Sequence, residues 1–412
     1  MTTGIAASGV TAPQGFRAAG VSAGIKRGAH SSGDGTSTSG PLDLALLVSD
    51  RPATAAAVFT TSKAPAAPVV VSREHLLRSN GVARAIVVNS GCANACTGDE
   101  GMRVARETAA HTARIVGCPA EQVLVASTGV IGVALPVAKI QTGLPAAAAS
   151  LGADQGAAAA RAIMTTDPFP KESTVQTTIG GRTVSIGGMA KGSGMIEPMM
   201  ATMLAFVTTD ASVPQPVLDR ALREVVDDTF NAITVDGECS TNDCVMLLAN
   251  GASGAVVDES SYAPFVAALL SVCRQLAIDI VRGGEGATKL VTVTVTAAAS
   301  VEDARRAAKA IANSPLVKTA IHGGDPNWGR LIAVAGRAGV AFDLERASVA
   351  IGRTVLFKDG RPYDDRAPEA AEYLQQRDIA VTVGLGSGGA QATVWTCDLS
   401  AEYVRINAEY RT

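Results

Sequence analysis

The sequence predicts a mixed α/β fold in which sheets and helices are stacked in layers. Three observations point there. Short apolar runs of strand length alternate with segments of helical period along the chain. Hairpin and strand-to-helix signals occur in both halves, with no internal repeat and no long linker. Hydrophobic residues fill 47% of the 412 positions while aromatics fill only 4%, so the core must be packed mostly from Ala, Val, Leu and Ile. A layered sandwich fits these signals better than a regular βαβ barrel.

In chain order, residues 31–40 (SSGDGTSTSG) read as a flexible loop, too rich in Ser and Gly for a regular element. Leu42 to Val48 and Ala55 to Thr60 are expected strands, and Ala85 to Val88 is a short β-branched run before a turn at Asn89-Ser90-Gly91. Glu100 to Val116 places Met102, Ala105, Ala109, Ala113 and Val116 on one face of a helix. Val123 to Ala126 is a strand leading into Ser127-Thr128-Gly129. An Ala-rich helix over Ala153 to Met164 precedes two strands joined at Gly180-Gly181. Met203 to Thr208 reads as a buried strand, Pro214 to Phe230 as a helix opened by proline, Val245 to Ala249 as a strand and Tyr262 to Arg282 as a long helix. Lys289 to Thr296 alternates Val291, Val293 and Val295 with Thr292, Thr294 and Thr296, the pattern of a half-exposed strand. Val301 to Asn313 is helical, strands follow near Val349, Ile379 and Ala392, and a short helix starts at Ser400. The glycine cluster Gly384 to Gly389 reads as a hairpin loop between strands.

Charge and composition exclude several classes of function. With 35 Lys and Arg against 38 Asp and Glu, the chain lacks the basic excess of a general nucleic-acid binder. No uncharged apolar run reaches membrane-span length; Phe265 to Val281 is interrupted by Arg274 and Asp279 and reads as a core helix. The first 25 residues lack a secretory pattern, and seven cysteines, an odd number, suit reduced thiols, so a cytoplasmic location is expected. Cys92/Cys96 and Cys239/Cys244 lack the second ligand pair of a structural zinc site and read as small buried residues. The chain contains no phosphate loop, no H-E-x-x-H and no G-x-S-x-G, so neither a metal nor a bound cofactor is expected. Histidine is scarce: His30, His75, His111 and His322 are the four, and only His322, in the Gly-rich IHGGDPNWGR, invites a functional reading.

Four segments hold small and polar residues out of keeping with ordinary loops. Ser127-Thr128-Gly129 ends a strand with a hydroxyl and a flexible backbone N–H, either a plain turn or an oxyanion hole. Thr165-Thr166-Asp167 closes a helix before Pro168 and equally suits a capping cluster. Lys191-Gly-Ser-Gly-Met195 sets a lone lysine on glycine-rich backbone, suited to a carboxylate. Thr202 stands among apolar residues at a strand start, either a β-former or a nucleophile.

With these segments in hand, the sequence resembles the glutamate N-acetyltransferase (ornithine acetyltransferase) family of arginine biosynthesis. The likeness runs through GVTAPQGFRAAGVSAGIK, VVNSGCANACTG, LVASTGVIG, IMTTDPFPKE, GGMAKGSGMIEPMMATML, FNAITVDGECSTND, GEGATKL, NSPLVKTAIHGGDPNWGR and CDLSAEYVRINAEYRT. It implies an α/β/β/α-type sandwich like that of the related self-cleaving aminopeptidases. Residues 1–300 would form the catalytic sandwich and 301–412 a smaller α/β portion. It further implies self-cleavage between Ala201 and Thr202 into chains 1–201 and 202–412, two of each assembling as α2β2. Thr202 would then be the nucleophile with its own α-amine as base, a group whose reference pKa of about 7.7–8.0 suits the task. Thr128 and Gly129 would form the oxyanion hole. Thr165, Lys191, Thr202, Glu285, Asn407 and Thr412 would bind substrate. The implied reaction moves acetyl from N2-acetyl-L-ornithine to L-glutamate by a ping-pong route, with acetyl-CoA admitted as a further substrate.

Three alternatives stand beside this reading. A self-cleaving aminopeptidase would release the acyl group to water. A paralogue from a specialised pathway would use another acyl donor. An uncut binding or structural protein would retain the fold without the chemistry.

Overall fold

The computed structural model describes residues 8–26, 40–197 and 203–409, so all but Gly40 of the expected loop at 31–40 lies outside the described residues. Strand β1 (Phe16–Val21) pairs antiparallel with β2 (Leu44–Phe59). The strands expected at Leu42–Val48 and Ala55–Thr60 are thus halves of one 16-residue strand, with a register shift between Val48 and Ala53. Pro52 falls inside that shift, where it pairs with no neighbouring strand and costs the ladder no hydrogen bond.

Helix α1 (Ala67–Arg78), β3 (Val82–Cys92), α2 (Gly98–Val116), β4 (Val123–Val130), α3 (Val137–Ala149) and α4 (Gly156–Ala162) follow. Next come the hairpin β5 (Lys171–Ile179) and β6 (Arg182–Lys191), then β7 (Leu204–Thr209), α5 (Gln215–Asp227), β8 (Cys244–Ala249) and α6 (Tyr262–Arg282). The Gly180-Gly181 turn has φ of +57° and +74°, left-handed values that glycine adopts without steric cost. The strand order is β4-β3-β2-β8-β7-β6-β5, with β1 beside β2.

Because the first half of β2 pairs with β1 and β3 and its second half with β8, the sheet folds over along β2 into two layers. Alternate residues decide which face each layer turns inward. Ala45, Leu47, Ile86, Val88 and Leu124 of the first layer share a core with Met189, Leu204, Phe206, Met246 and Leu248 of the second. The intervening residues Leu46, Ala85, Val87 and Val123 face α1, α2 and α3 on the outside. Ala205, Val207, Val245 and Leu247 face α5 and α6. The result is α/β/β/α layering, in which each fully buried Leu or Phe contributes roughly 1.5–3 kcal/mol. Helix α6 is long and apolar enough by composition to cross a membrane. Here Phe265, Leu269, Val272, Leu276 and Ile280 are all 0% exposed, so it is a core helix.

A second sheet begins at β9 (Leu290–Ala298), ahead of residue 300. Helices α7 (Val301–Ala312), α8 (Pro315–Gly323) and α9 (Trp328–Gly336) follow, then β10 (Ser348–Ile351), β11 (Thr354–Lys358) and β12 (Arg361–Pro362). The chain continues through α10 (Ala367–Tyr373), β13 (Asp378–Gly384), β14 (Ala390–Cys397) and α11 (Ala401–Glu409). Val291, Val293 and Val295 of β9 are buried against Ala304, Ala307, Ala308 and Ile311 of α7, as their alternation predicts. Strand β13 pairs parallel with β9 and β14 antiparallel with it on the other side, in the order β10-β13-β9-β14. Gly384 to Gly389 is therefore not a hairpin loop but a crossing over the end of β9, held by Ser387 and Gly388 N–H groups on the Ala297 carbonyl.

Candidate active site

Strands β3 and β4 run parallel past their expected ends, placing Ser90 beside Thr128 and Gly91 beside Gly129. Asn89-Ser90-Gly91 is thus strand rather than turn. Gly129 has φ +125°, and a Cβ there would overlap the Gly91 carbonyl carbon, so only glycine lets the two strands stay this close. Side chains then fix the end of β4. Ser127 Oγ donates to Asn89 Oδ1 at 2.6 Å, and Asn89 Nδ2 donates to the Cys92 carbonyl at 2.8 Å. Asn242 Nδ2 donates to the carbonyls of Ser127 at 2.8 Å and Ala93 at 2.6 Å. Thr128 therefore sits on a rigid strand end. Asn242 went unrecognised in the sequence because its partners are backbone atoms more than a hundred residues away.

Lys191 closes β6, and its buried Nζ donates to Thr128 Oγ1 at 3.1 Å. Asp167 organises the cation side. Its carboxylate accepts from Lys171 Nζ at 2.6 Å, from the Gly192 N–H at 2.7 Å and from the Thr165 N–H at 2.9 Å. Burial pushes the Asp167 carboxyl up, but Lys191, Lys171 and the Gly192 N–H together hold it down at about 2. Burial likewise pulls the Lys191 ammonium below its ordinary value, and Asp167 opposes that pull. The Thr165-Thr166-Asp167 segment is thus more than a cap: its carboxylate holds the turn after β6.

The anionic side is built from three segments. Glu285 follows α6; its Oε1 accepts from Thr166 Oγ1 at 2.7 Å and its Oε2 from Asn407 Nδ2 at 2.9 Å. A Cβ on Gly194 would overlap the Glu285 carboxylate, so the K-G-S-G spacing makes room for it. Asp236 accepts from the N–H groups of Met195 and Ile196 and from Tyr403 Oη at 3.2 Å, tying α11 to the turn after β6.

These residues enclose a cavity of about 140 Å³. Thr128, Gly129, Thr165, Lys191, Glu285 and Asn407 all line it, brought together from five separate stretches of chain. Ala201, Thr202 and Thr412 lie outside the described residues. Met203, the covalent neighbour of residue 202, is buried and lines the same cavity. Asp243 also lines it: burial drives its carboxyl well above the usual carboxylate range, and its Oδ2 has no hydrogen-bond partner among the described residues.

Other expected features lie elsewhere. Cys92 and Cys244 are buried as the sequence suggests, whereas Cys96 and Cys239 are exposed. Among the described residues no group of three His, Cys, Asp or Glu side chains is arranged to hold a metal. His322 does not line the cavity; its Nδ1 lies 2.6 Å from Asp398 Oδ2.

The profile of the ArgJ family matches residues 17–412. The chain is 49% identical over 409 residues to the arginine biosynthesis bifunctional protein ArgJ of Symbiobacterium thermophilum, covering 98% of this chain and 99% of that one. It is 49% identical over 403 residues to the protein of the same name from Geobacter sulfurreducens, covering 97% and 99%. A crystal structure of arginine biosynthesis bifunctional protein argJ from Bacillus halodurans aligns at 44% identity over 51% of this chain and 100% of that chain, with a TM-score of 0.49. With a family profile spanning nearly every residue and relatives half identical from end to end, this chain belongs to the ArgJ family.

Proposed function

We propose that the chain is a self-cleaving acetyltransferase of arginine biosynthesis that carries acetyl from N2-acetyl-L-ornithine to L-glutamate as an ester on Thr202. The observation that carries this reading is the cavity itself. Its lining combines the buried Lys191, beside Thr128, with the Glu285 carboxylate and Met203. An acetylated amino acid with a cationic side chain matches that polarity: its carboxylate suits Lys191 and its terminal amine suits Glu285.

The chemistry follows from the groups present. The Thr202 hydroxyl needs a base, and the α-amine released by cleavage travels with it. Oγ attacks the acetyl carbonyl while its proton passes to the amine, and negative charge collects on the carbonyl oxygen. Because Lys191 donates to Thr128 Oγ1, the Thr128 hydroxyl has its own proton to give to that oxygen, beside Gly129. The C–N bond breaks, ornithine takes the proton from the α-ammonium, and the glutamate amine then attacks the ester and restores Thr202. In this reading Thr165, Asn407 and Thr412 complete the substrate contacts. Acetyl-CoA serves as a second acetyl donor, in keeping with the word bifunctional in the relatives' names, and no resident cofactor or metal takes part. The mature form is two copies each of chains 1–201 and 202–412, working in the cytoplasm.

Two measurements test this. Intact mass should show two fragments, the second beginning at Thr202; a single uncut chain would sink the mechanism. Acetyl flow from acetylornithine should reach glutamate. Acetate released to water at the same rate without glutamate would instead favour an aminopeptidase. Thr128→Val, measured in the cut enzyme, should lower kcat by roughly 10²–10³ with a small change in KM, as loss of one oxyanion donor does. Gly194→Ala should raise the acetylornithine KM by displacing Glu285. Steady-state kinetics at saturating glutamate separate the two outcomes.

A further inference from the structure

The HGGDPNWGR motif is left unused by this chemistry, yet it is tied to Glu285 through one carboxylate. Asp398 follows β14, and its side chain is 0% exposed. Its Oδ1 accepts from the N–H groups of Thr288 and Lys289, both at 2.8 Å. Its Oδ2 accepts from Thr288 Oγ1 at 2.5 Å and from His322 Nδ1 at 2.6 Å. A carboxylate is an acceptor only, with about four lone-pair sites, so four donors saturate it and place the ring proton of His322 on Nδ1. Burial raises the Asp398 carboxyl, but Thr288 and His322 more than offset that and hold it below its ordinary value.

This carboxylate joins the two segments that meet at the anionic end of the cavity. Thr288 and Lys289 close the loop that carries Glu285, while Asp398 leads within a few residues into α11, which carries Asn407. Ser400 Oγ adds a second stitch, donating to the Gly286 carbonyl at 2.6 Å. Gly286, at φ +69°, lets the Tyr403 backbone approach so closely that a Cβ would stand 2.5 Å from its nitrogen. On the far side, Lys289 Nζ donates to the carbonyls of Ile321 and His322 at the end of α8. His322 thus anchors the carboxylate to α8, and the carboxylate anchors Glu285 relative to Asn407.

We propose that Asp398 and His322 are positioning residues for the amine end of the acetyl donor, holding the hydrogen-bonded Glu285 and Asn407 where a cationic side chain can reach the carboxylate. The inference rests on the acetylornithine reading above. It is tested in the cut enzyme with two donors: N2-acetyl-L-ornithine, and N2-acetyl-L-norvaline, which has the same side chain without the terminal amine. His322→Ala, at a partly exposed site, should raise the acetylornithine KM about tenfold, the effect of losing one hydrogen bond to a charged group, with kcat within about twofold. The acetylnorvaline KM should stay unchanged. His322→Gln keeps a donor and should recover most of the loss. Asp398→Asn turns acceptor sites into donors and should act in the same direction, more strongly. Self-cleavage should proceed in all three variants, because neither His322 nor Asp398 lines the cavity that Met203 lines. Equal losses on both donors, or no loss on either, would overturn the inference. If Asp398→Asn does not fold, His322→Ala with its glutamine rescue decides alone. A wild-type enzyme that moves no acetyl from either donor would instead defeat the functional reading.

Discussion

With Thr202 replaced by alanine, the chain should remain a single 412-residue polypeptide and lose acetyl transfer by at least about a thousandfold. Both consequences have one cause. In the proposed mechanism, the hydroxyl that attacks the acetyl carbonyl in transfer would, in the precursor, also attack the carbonyl of Ala201. Thr128, which lines the same cavity as Met203, is already engaged with Lys191. Thr202→Ser retains a hydroxyl and should still be cut, since serine supplies the same nucleophile with one methyl less. Denaturing electrophoresis and mass measurement read the cleavage, and the rate of N-acetylglutamate formation reads the transfer. A Thr202→Ala enzyme that transfers acetyl normally would show that the nucleophile is another residue.

Asp167→Asn should destabilise the fold by about 3–5 kcal/mol at neutral pH, because it leaves the Lys171 ammonium buried without its anion. Lys171 and Asp167 are both fully enclosed side chains, so water cannot take the place of the lost charge. The same substitution puts an NH2 donor in place of one carboxylate oxygen, so either the Thr165 or the Gly192 N–H loses its acceptor, and transfer should weaken as well. The pH dependence has a definite sign. Asp167 is held at about 2 in the fold, below its ordinary 3.8, so its contribution is full above about pH 4 and fades as pH falls towards 2. That contribution is roughly 2 kcal/mol. Denaturant unfolding of the cut enzyme at pH 7 and at pH 3 should show the gap between wild type and variant narrowing at the lower pH. An unchanged gap would mean that the pair does not carry the stability assigned to it.

How much could be read before the fold was known differs element by element. Helices α2, α5, α6 and α7 and strands β7, β8 and β9 follow from periodicity, because each has one face or both faces in a core. Helix α1 carries no clear helical period: its Val69-Val70-Val71 run is β-branched, and Ala67 and Val71 pack in one core with Val104 and Val125. Strand β2 looked like two strands because Ser49-Asp50-Arg51-Pro52 carries turn residues, which the register shift absorbs. The site divides the same way. Thr128, Gly129, Thr165, Lys191, Glu285 and Asn407 could be named from their motifs, whereas Asp167, Asn242, Asp236 and Tyr403 could not be given their roles. Their partners are backbone amides and carbonyls, a lysine and, for Asp236 and Tyr403, each other, and the positions of all of them depend on chain closure.

The order of apolar and polar residues therefore determined most of the strands and helices, and the residue types marked the segments that line the cavity. That information is local, carried by side-chain period and by residue type. Tertiary structure decided how the segments meet. It folded one sheet over β2 into two layers, put Lys191 and Glu285 in the lining of one cavity, and gave Asp398 four donors from two distant segments. Burial and long-range hydrogen bonding set those relations, and neither exists until residues hundreds of positions apart have been brought together.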